Sequence, residues 1–271
     1  MMEELSPKAS DFLRSWRQRR RLSQLDCALE ANISQRHLSF MESGRATPSR
    51  DMLLHLAECL DIPLRERNAA LLAAGFAPVY PERRLEDPAM ESAREAIERL
   101  LRAHEPFPAL AIDRHWNLMA ANATVAPLLA GVEDQKLLAA PINVLRLSLH
   151  PKGLAPQIVN LEEWRSHLLD RLRRQIAATR DEVLVALLAE LMDYPGASLH
   201  SQASAELGAV VVPMRLKTPR GELSLISTTT VFGTPRDVLL SEMAIETFFP
   251  ADAATRDILE GALKDVGEAM N

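Results

Sequence analysis

LSQLDCALEANISQRHLSFMESGR, residues 22–45, is the stretch whose reading decides the fold. Ser23 is a good N-cap, and Leu25, Ala28 and Leu29 repeat behind it at helical spacing. A break at Asn32-Ile33 follows. Ser34 then caps a second short helix with apolar positions at Leu38 and Met41, and Ser43-Gly44 stops it, Gly44 suiting the left-handed C-terminal position. The second helix carries Gln35, Arg36, His37 and Ser39 on its polar side. Two short helices joined by a tight turn read as a helix-turn-helix, the alternative being a helical hairpin with a solvated face. The polar residues favour the first reading. Glutamine pairs bidentately with adenine, arginine with guanine, and serine with a base or a phosphate.

Working outward, the segment resembles the DNA-binding domain of the Cro/C1 (XRE-type) repressors. Their pattern R…SQ…LSxxExG is met by Arg17, Ser23, Gln24, Leu38, Ser39, Glu42 and Gly44, and the likeness runs from residue 11 to about 76. The resemblance implies an all-α, five-helix domain. It also implies that Gln24 holds a phosphate, that Gln35, Arg36 and Ser39 face base edges with Ser34 at their head, and that Arg45 lies beside the DNA backbone. Arg17 and Glu42 would form an internal ion pair locking the first helix to the recognition helix.

Length and charge agree with this. At 271 residues the chain is comfortable for two domains. Its net charge of −6 alone argues against nucleic acid, but residues 10–50 hold eight arginines against four acids, whereas residues 79–271 hold 20 basic and 27 acidic side chains. A basic head on an acidic body suits a DNA reader with a separate sensing domain. Cys27 and Cys59 fall at apolar helix positions and read as core residues in a reduced compartment. No apolar run approaches the roughly 20 residues needed to span a bilayer, and no signal-peptide pattern opens the sequence, so no membrane and a cytoplasmic location are expected.

The first helix should run from about Lys8 to Arg20, with Phe12, Leu13 and Trp16 on one side. The run Arg17 to Arg21 is either a solvated face or, for part of it, a phosphate contact. A fourth helix should start near Ser49 and end before Pro63, with His55 on its solvated side, and a fifth should stop at Gly75. The expected domains are therefore 1–77, a proline-bearing linker 78–90, and 91–271. The second domain opens with a helix at 91–104, which packs on that domain or pairs with its copy. Strands Ala109–Asp113 and Trp116–Ala121 follow, then a helix begun by Asn122. One short helix at 141–149 and one or two long ones over 161–194 come next. Strands Gly208–Lys217 and Glu222–Phe232 form a hairpin through Thr218-Pro219-Arg220-Gly221, Leu239–Phe249 reads as a third strand, and Asp252 caps a last helix. The fold class is α+β, with a PAS-like α/β sensor domain after the helical one.

This body resembles the ligand-binding domain of the MmyB-like transcription regulators. The likeness is carried by Leu64–Asn68 with Ala73–Phe76, Asp113–Asn122, Asn143–Arg146, His150-Pro151, and Asn160 with Trp164. Leu223–Phe232 with Gly233-Thr234-Pro235 and Phe248–Asp252 complete it. The resemblance implies a PAS-like fold, an effector pocket and an apolar acyl-type ligand such as a fatty acid.

Nothing reads as catalytic. The seven histidines show no metal-ligand spacing, and neither a phosphate loop nor a Gly-x-Ser-x-Gly elbow occurs. A haem would ask for a lone histidine such as His150 or His167, but His150 precedes Pro151, where a turn role serves as well. No enzyme, metal or cofactor is expected. A pocket for a carboxylate needs a cation or several donors, for which Asn117, Arg146, His150 and Arg215 are the candidates, each with a structural bond as the competing role. Wall candidates are Trp116, Trp164, Phe232 and Phe248, against ordinary core packing. The expected partners are double-stranded DNA, an apolar small-molecule effector and a second copy of the chain, since one recognition helix covers too few base pairs. A protein-interaction adaptor whose helix-turn-helix does not read DNA is the competing function, and a lipid-handling enzyme a weaker third.

Overall fold

A computed structural model describes residues 8–195 and 212–269. The chain forms two compact units: one holds the residues up to Arg84 together with Gly233–Ser241, the other Leu85–Phe232 and the chain from Glu242 on.

The first unit is helical: α1 (Ala9–Arg19), α2 (Gln24–Glu30), α3 (Gln35–Glu42), α4 (Arg50–Cys59) and α5 (Leu64–Ala73). Serine caps start three of them, as Ser23 Oγ accepts from Asp26 N, Ser34 Oγ from His37 N and Ser49 Oγ from Met52 N. Leu13, Leu38, Met41, Leu53, Leu56 and Leu71 fill the core. The apolar face of α2 departs from expectation. Leu25 and Leu29 are 50% and 69% exposed, whereas the small residues Ala28 and Cys27, both expected inside, are buried together with Ala31. Small side chains let neighbouring backbones approach closely, so the face that packs here is the slim one. His55 Nε2, expected in solvent, lies 2.8 Å from the Ala31 carbonyl. Residues after α5 are held on it: Asn68 Oδ1 accepts from Val79 N and Tyr80 N, Asn68 Nδ2 donates to the Tyr80 carbonyl, and Arg65 pairs with Glu82.

The second unit opens with α6 (Glu91–Ala103), which turns Ile97 and Leu101 inward and packs on β1 (Ala109–Ile112). After β2 (Leu118–Ala121) the expected α-helix is only a 3₁₀ turn, Ala126–Leu129. Asn122 does not cap it. Its side chain accepts from Ala109 N and donates to the carbonyls of Leu101 and Phe107, tying α6 to the sheet. Then come α7 (Val144–Leu149), α8 (Leu161–Thr179) and α9 (Glu182–Met192), the last two separated by Arg180 in a left-handed conformation at φ +57°. β3 (Met214–Thr218) and β4 (Gly221–Val231) form the expected hairpin, the residues 208–211 of its first arm lying outside the described ones. The span 239–249 is not one strand: α10 (Val238–Glu242) precedes β5 (Ala244–Pro250). α11 (Ala253–Ala269) follows, with Thr255 N donating to Asp252 Oδ1 at 2.7 Å.

The five strands among the described residues form one antiparallel sheet in the order β2-β1-β5-β4-β3. The segment between β2 and β3 carries α7, α8 and α9, and leucines of all three join the strands' inner side chains in one core. The chain is thus α+β, a helical unit and an antiparallel sheet with helices. No helix among the described residues is long and apolar enough to cross a membrane.

Candidate DNA interface and ligand cavity

α3 buries Leu38, Met41 and Glu42, while Gln35, Arg36 and His37 are exposed and Ser39 is half-buried. Residues 35, 36, 39, 40 and 43 share the outer face by helical spacing. Phe40 sits in the middle of it. The Arg36 guanidinium lies 5.2 Å and that of Arg45 6.0 Å from the Phe40 ring centroid, so one ring braces two cations. Phe40 is not among the residues expected from sequence at this face, although its place four residues after Arg36, off the Leu38–Met41 side, is the signal that finds it. Ser34 spends its hydroxyl on the first turn, 3.2 Å from His37 N. Arg45 follows Gly44, whose φ of +72° ends the helix, and is exposed.

The interface is held from behind by Glu42. Arg17 donates Nε to Glu42 Oε1 at 2.6 Å and Nη2 to Oε2 at 2.9 Å, Gln24 Nε2 donates to Oε2 at 2.8 Å, and Arg14 Nη2 donates to the Glu42 carbonyl. The Arg17 and Glu42 side chains are 12% and 1% exposed. Burial alone would push the Glu42 carboxyl up, but the bonds from Arg17 and Gln24 and the charges of Arg17 and Arg14 outweigh it and hold it below the ordinary glutamate value. The rest of the basic run is largely used inside the unit as well. Arg19 stacks on Trp16, and Arg20 donates to the carbonyls of Leu60 and Asp61 after α4.

In the second unit a cavity of about 110 Å³ lies between the sheet and α7 and α8. Its wall is mainly leucine, and three of the four aromatic candidates, Trp116, Trp164 and Phe248, line it. Trp164 Nε1 donates to Ser148 Oγ at 3.1 Å. Trp116 has φ +68°, a region that a bulky side chain rarely enters, and is fixed there by a 2.8 Å bond from its Nε1 to Gln175 Oε1.

The polar candidates and Phe232 do not line this cavity. Asn117 bonds Asp113, Arg215 pairs with Glu222, and His150 Nδ1 accepts from Lys152 N. Arg146 pairs with Glu190 and holds that carboxyl below the usual range, with help from the Tyr194 hydroxyl. Phe232 is half-buried beyond the end of β4. Each polar side chain took its competing structural role.

The charged groups at the cavity are Arg171 and Glu246, neither picked out from sequence. Arg171 Nη1 donates to Glu246 Oε2 at 3.1 Å, and Nη2 reaches Glu246 Oε1 and Thr229 Oγ1. Its guanidinium sits 4.5 Å from the Trp116 ring centroid, and the Glu246 side chain is 6% exposed. Ser148 and Ser227 add two hydroxyls to the lining. An apolar chamber with one neutralised ion pair and a few hydroxyls can hold an amphiphile by its tail and orient its head.

Two family models match the chain. The MmyB-like transcription regulator ligand binding domain matches residues 93–261, and a helix-turn-helix family matches residues 13–67. No curated protein matches it.

Proposed function

Because the chain belongs to the MmyB-like transcription regulators and carries a helix-turn-helix ahead of their ligand-binding domain, it is a DNA-binding transcription regulator, and we propose that it acts as a cytoplasmic homodimer whose operator affinity is set by an apolar acyl effector, a fatty acid or close relative. The observation that carries the DNA part is α3 itself, its apolar side sealed in the core and Gln35, Arg36 and Ser39 turned outward on a ring-braced face. In this reading those three meet base edges. Gln24 spends one amide hydrogen on Glu42 and offers the other to a phosphate, with Ser34 and Arg45 beside the backbone. Two copies read half-sites one helical turn apart. The effector acts by binding the two dimer geometries unequally.

The experiment is denaturing extraction of the purified protein with mass spectrometry of what is released, followed by operator binding with and without the recovered compound. An acyl compound that shifts operator affinity supports the proposal. A protein that binds operator and random duplex equally, with a flat salt dependence, would return the adaptor reading.

A further inference from the structure

A single chamber of about 110 Å³ is tight for the proposed effector, being smaller than the roughly 150 Å³ apolar cavity that admits benzene. A second apolar cavity of about 210 Å³ lies in the same unit, closed at one side by Ile258, Leu259 and Ala262 of α11. Leu128 borders both.

β4 gives the two spaces a common axis. Alternate side chains of a strand face one side, and on this side the order along β4 is Thr229, Ser227, Leu225, Leu223. Thr229 touches Arg171 and Glu246, Ser227 and Leu225 line the first cavity, and Leu223 lines the second. From Thr229 to Leu223 the strand advances roughly 20 Å, from a polar end through an apolar middle into the second space. Leu216 of β3 lines the first cavity and pairs across the ladder with Leu223, which lines the second. Leu128 stands on the 3₁₀ turn Ala126–Leu129, an element one turn long, and is only half-buried.

We propose that Leu128 partitions a single two-chamber channel and sets the length of chain the protein accepts. The head of the effector rests at the Arg171–Glu246 end, an unbranched tail passes Leu128, and the tail's end meets Ile258, Leu259 and Ala262. The ligand class is a long single-chain amphiphile rather than a compact ring. This rests on the acyl-effector reading and adds a length rule to it.

The test titrates the full chain with butanoate and palmitate, read by the fluorescence of Trp116 and Trp164 in the first chamber. Ala262→Phe fills the far chamber only, and Leu128→Phe thickens the partition. Ala262→Phe should weaken palmitate by about tenfold or more and leave butanoate within about twofold, and Leu128→Phe, at a residue bordering both chambers, should weaken palmitate more than butanoate. The melting temperature reports folding, and Leu128→Phe stands in should Ala262→Phe unfold. Equal losses for both acids, or palmitate binding as tight as in the wild type, would overturn the length rule while leaving the acyl reading in place. Failure of the wild-type chain to bind either acid would remove the acyl reading, and the length rule with it.

Discussion

Arg17 and Glu42, 25 residues apart, meet fork to fork behind the outer face of α3, with Gln24 adding a third bond to the same carboxylate. The pair joins α1, α2 and α3 at one nearly buried point. The Glu42 side chain is buried away from any DNA, so in the proposed function the pair's part is to hold Gln35, Arg36 and Ser39 in register.

Removing one member strands the other charge. Arg17→Ala should cost on the order of 3–5 kcal/mol of stability in the helical unit and weaken operator and random duplex alike. A double variant, Arg17→Met with Glu42→Leu, should regain much of the melting temperature, because an apolar pair of similar bulk avoids desolvating two charges. Calorimetric melts decide it. A single variant as stable as the wild type would count against the clamp.

The same carboxylate fixes a pH dependence. Glu42 sits below its unfolded value of about 4.3, so the folded state binds fewer protons there. The stability it contributes is present above that value and is lost as pH falls through the depressed one. Melts taken from neutral pH downward should therefore lose stability more steeply below about pH 4 in the wild type than in Glu42→Gln. Identical slopes would show that another group carries the acid response.

On the outer face the two arginines should separate by role. Arg36→Ala should cost about 1–3 kcal/mol at one base position and relax specificity there, whereas Arg45→Ala should weaken all sequences and flatten the salt slope. Phe40 braces both cations, so Phe40→Ala should do some of each. Binding assays on operator, point-substituted operator and random duplex read these out. Equal loss on operator and random DNA for Arg36→Ala would contradict base reading.

Arg171 is neutralised by Glu246 before any ligand arrives. An anionic head must share that cation with a nearly buried carboxylate and meet its repulsion. Glu246→Gln should therefore tighten binding of palmitate but not of the matching fatty alcohol, and Arg171→Met should weaken palmitate more than the alcohol. Parallel shifts for acid and alcohol would place the head elsewhere.

How legible this was follows from where each signal lives. The caps Ser23, Ser34 and Ser49, the stop at Gly44 and the β3–β4 hairpin are local patterns, and the sequence carries them openly. On α2 the small Cys27 and Ala28 pack inside as their apolar character implies, while the larger Leu25 and Leu29 stay exposed because the neighbouring backbones leave room only for small side chains. Leu239 to Glu242, expected as the start of a strand, close as a helical turn in keeping with their leucines and glutamate, with Asp237 Oδ1 accepting from Leu239 N. The Arg171–Glu246 pair spans 75 residues in a chain with 31 basic and 37 acidic side chains, and only the folded sheet selects that pairing. Arg146 and Arg215 looked equally apt until Glu190 and Glu222 met them.

Residues Gly233–Ser241 lie between β4 and β5 in sequence yet count with the helical unit, where Val238 N donates to the Pro81 carbonyl and Asp237 pairs with Arg83. The polypeptide therefore passes from one unit to the other three times, and no single cut yields two whole halves. A fragment ending at Arg84 lacks nine residues of its own unit, and the remainder carries them with nothing to dock on. Dissection of this protein calls for a permuted or internally deleted gene rather than a truncation.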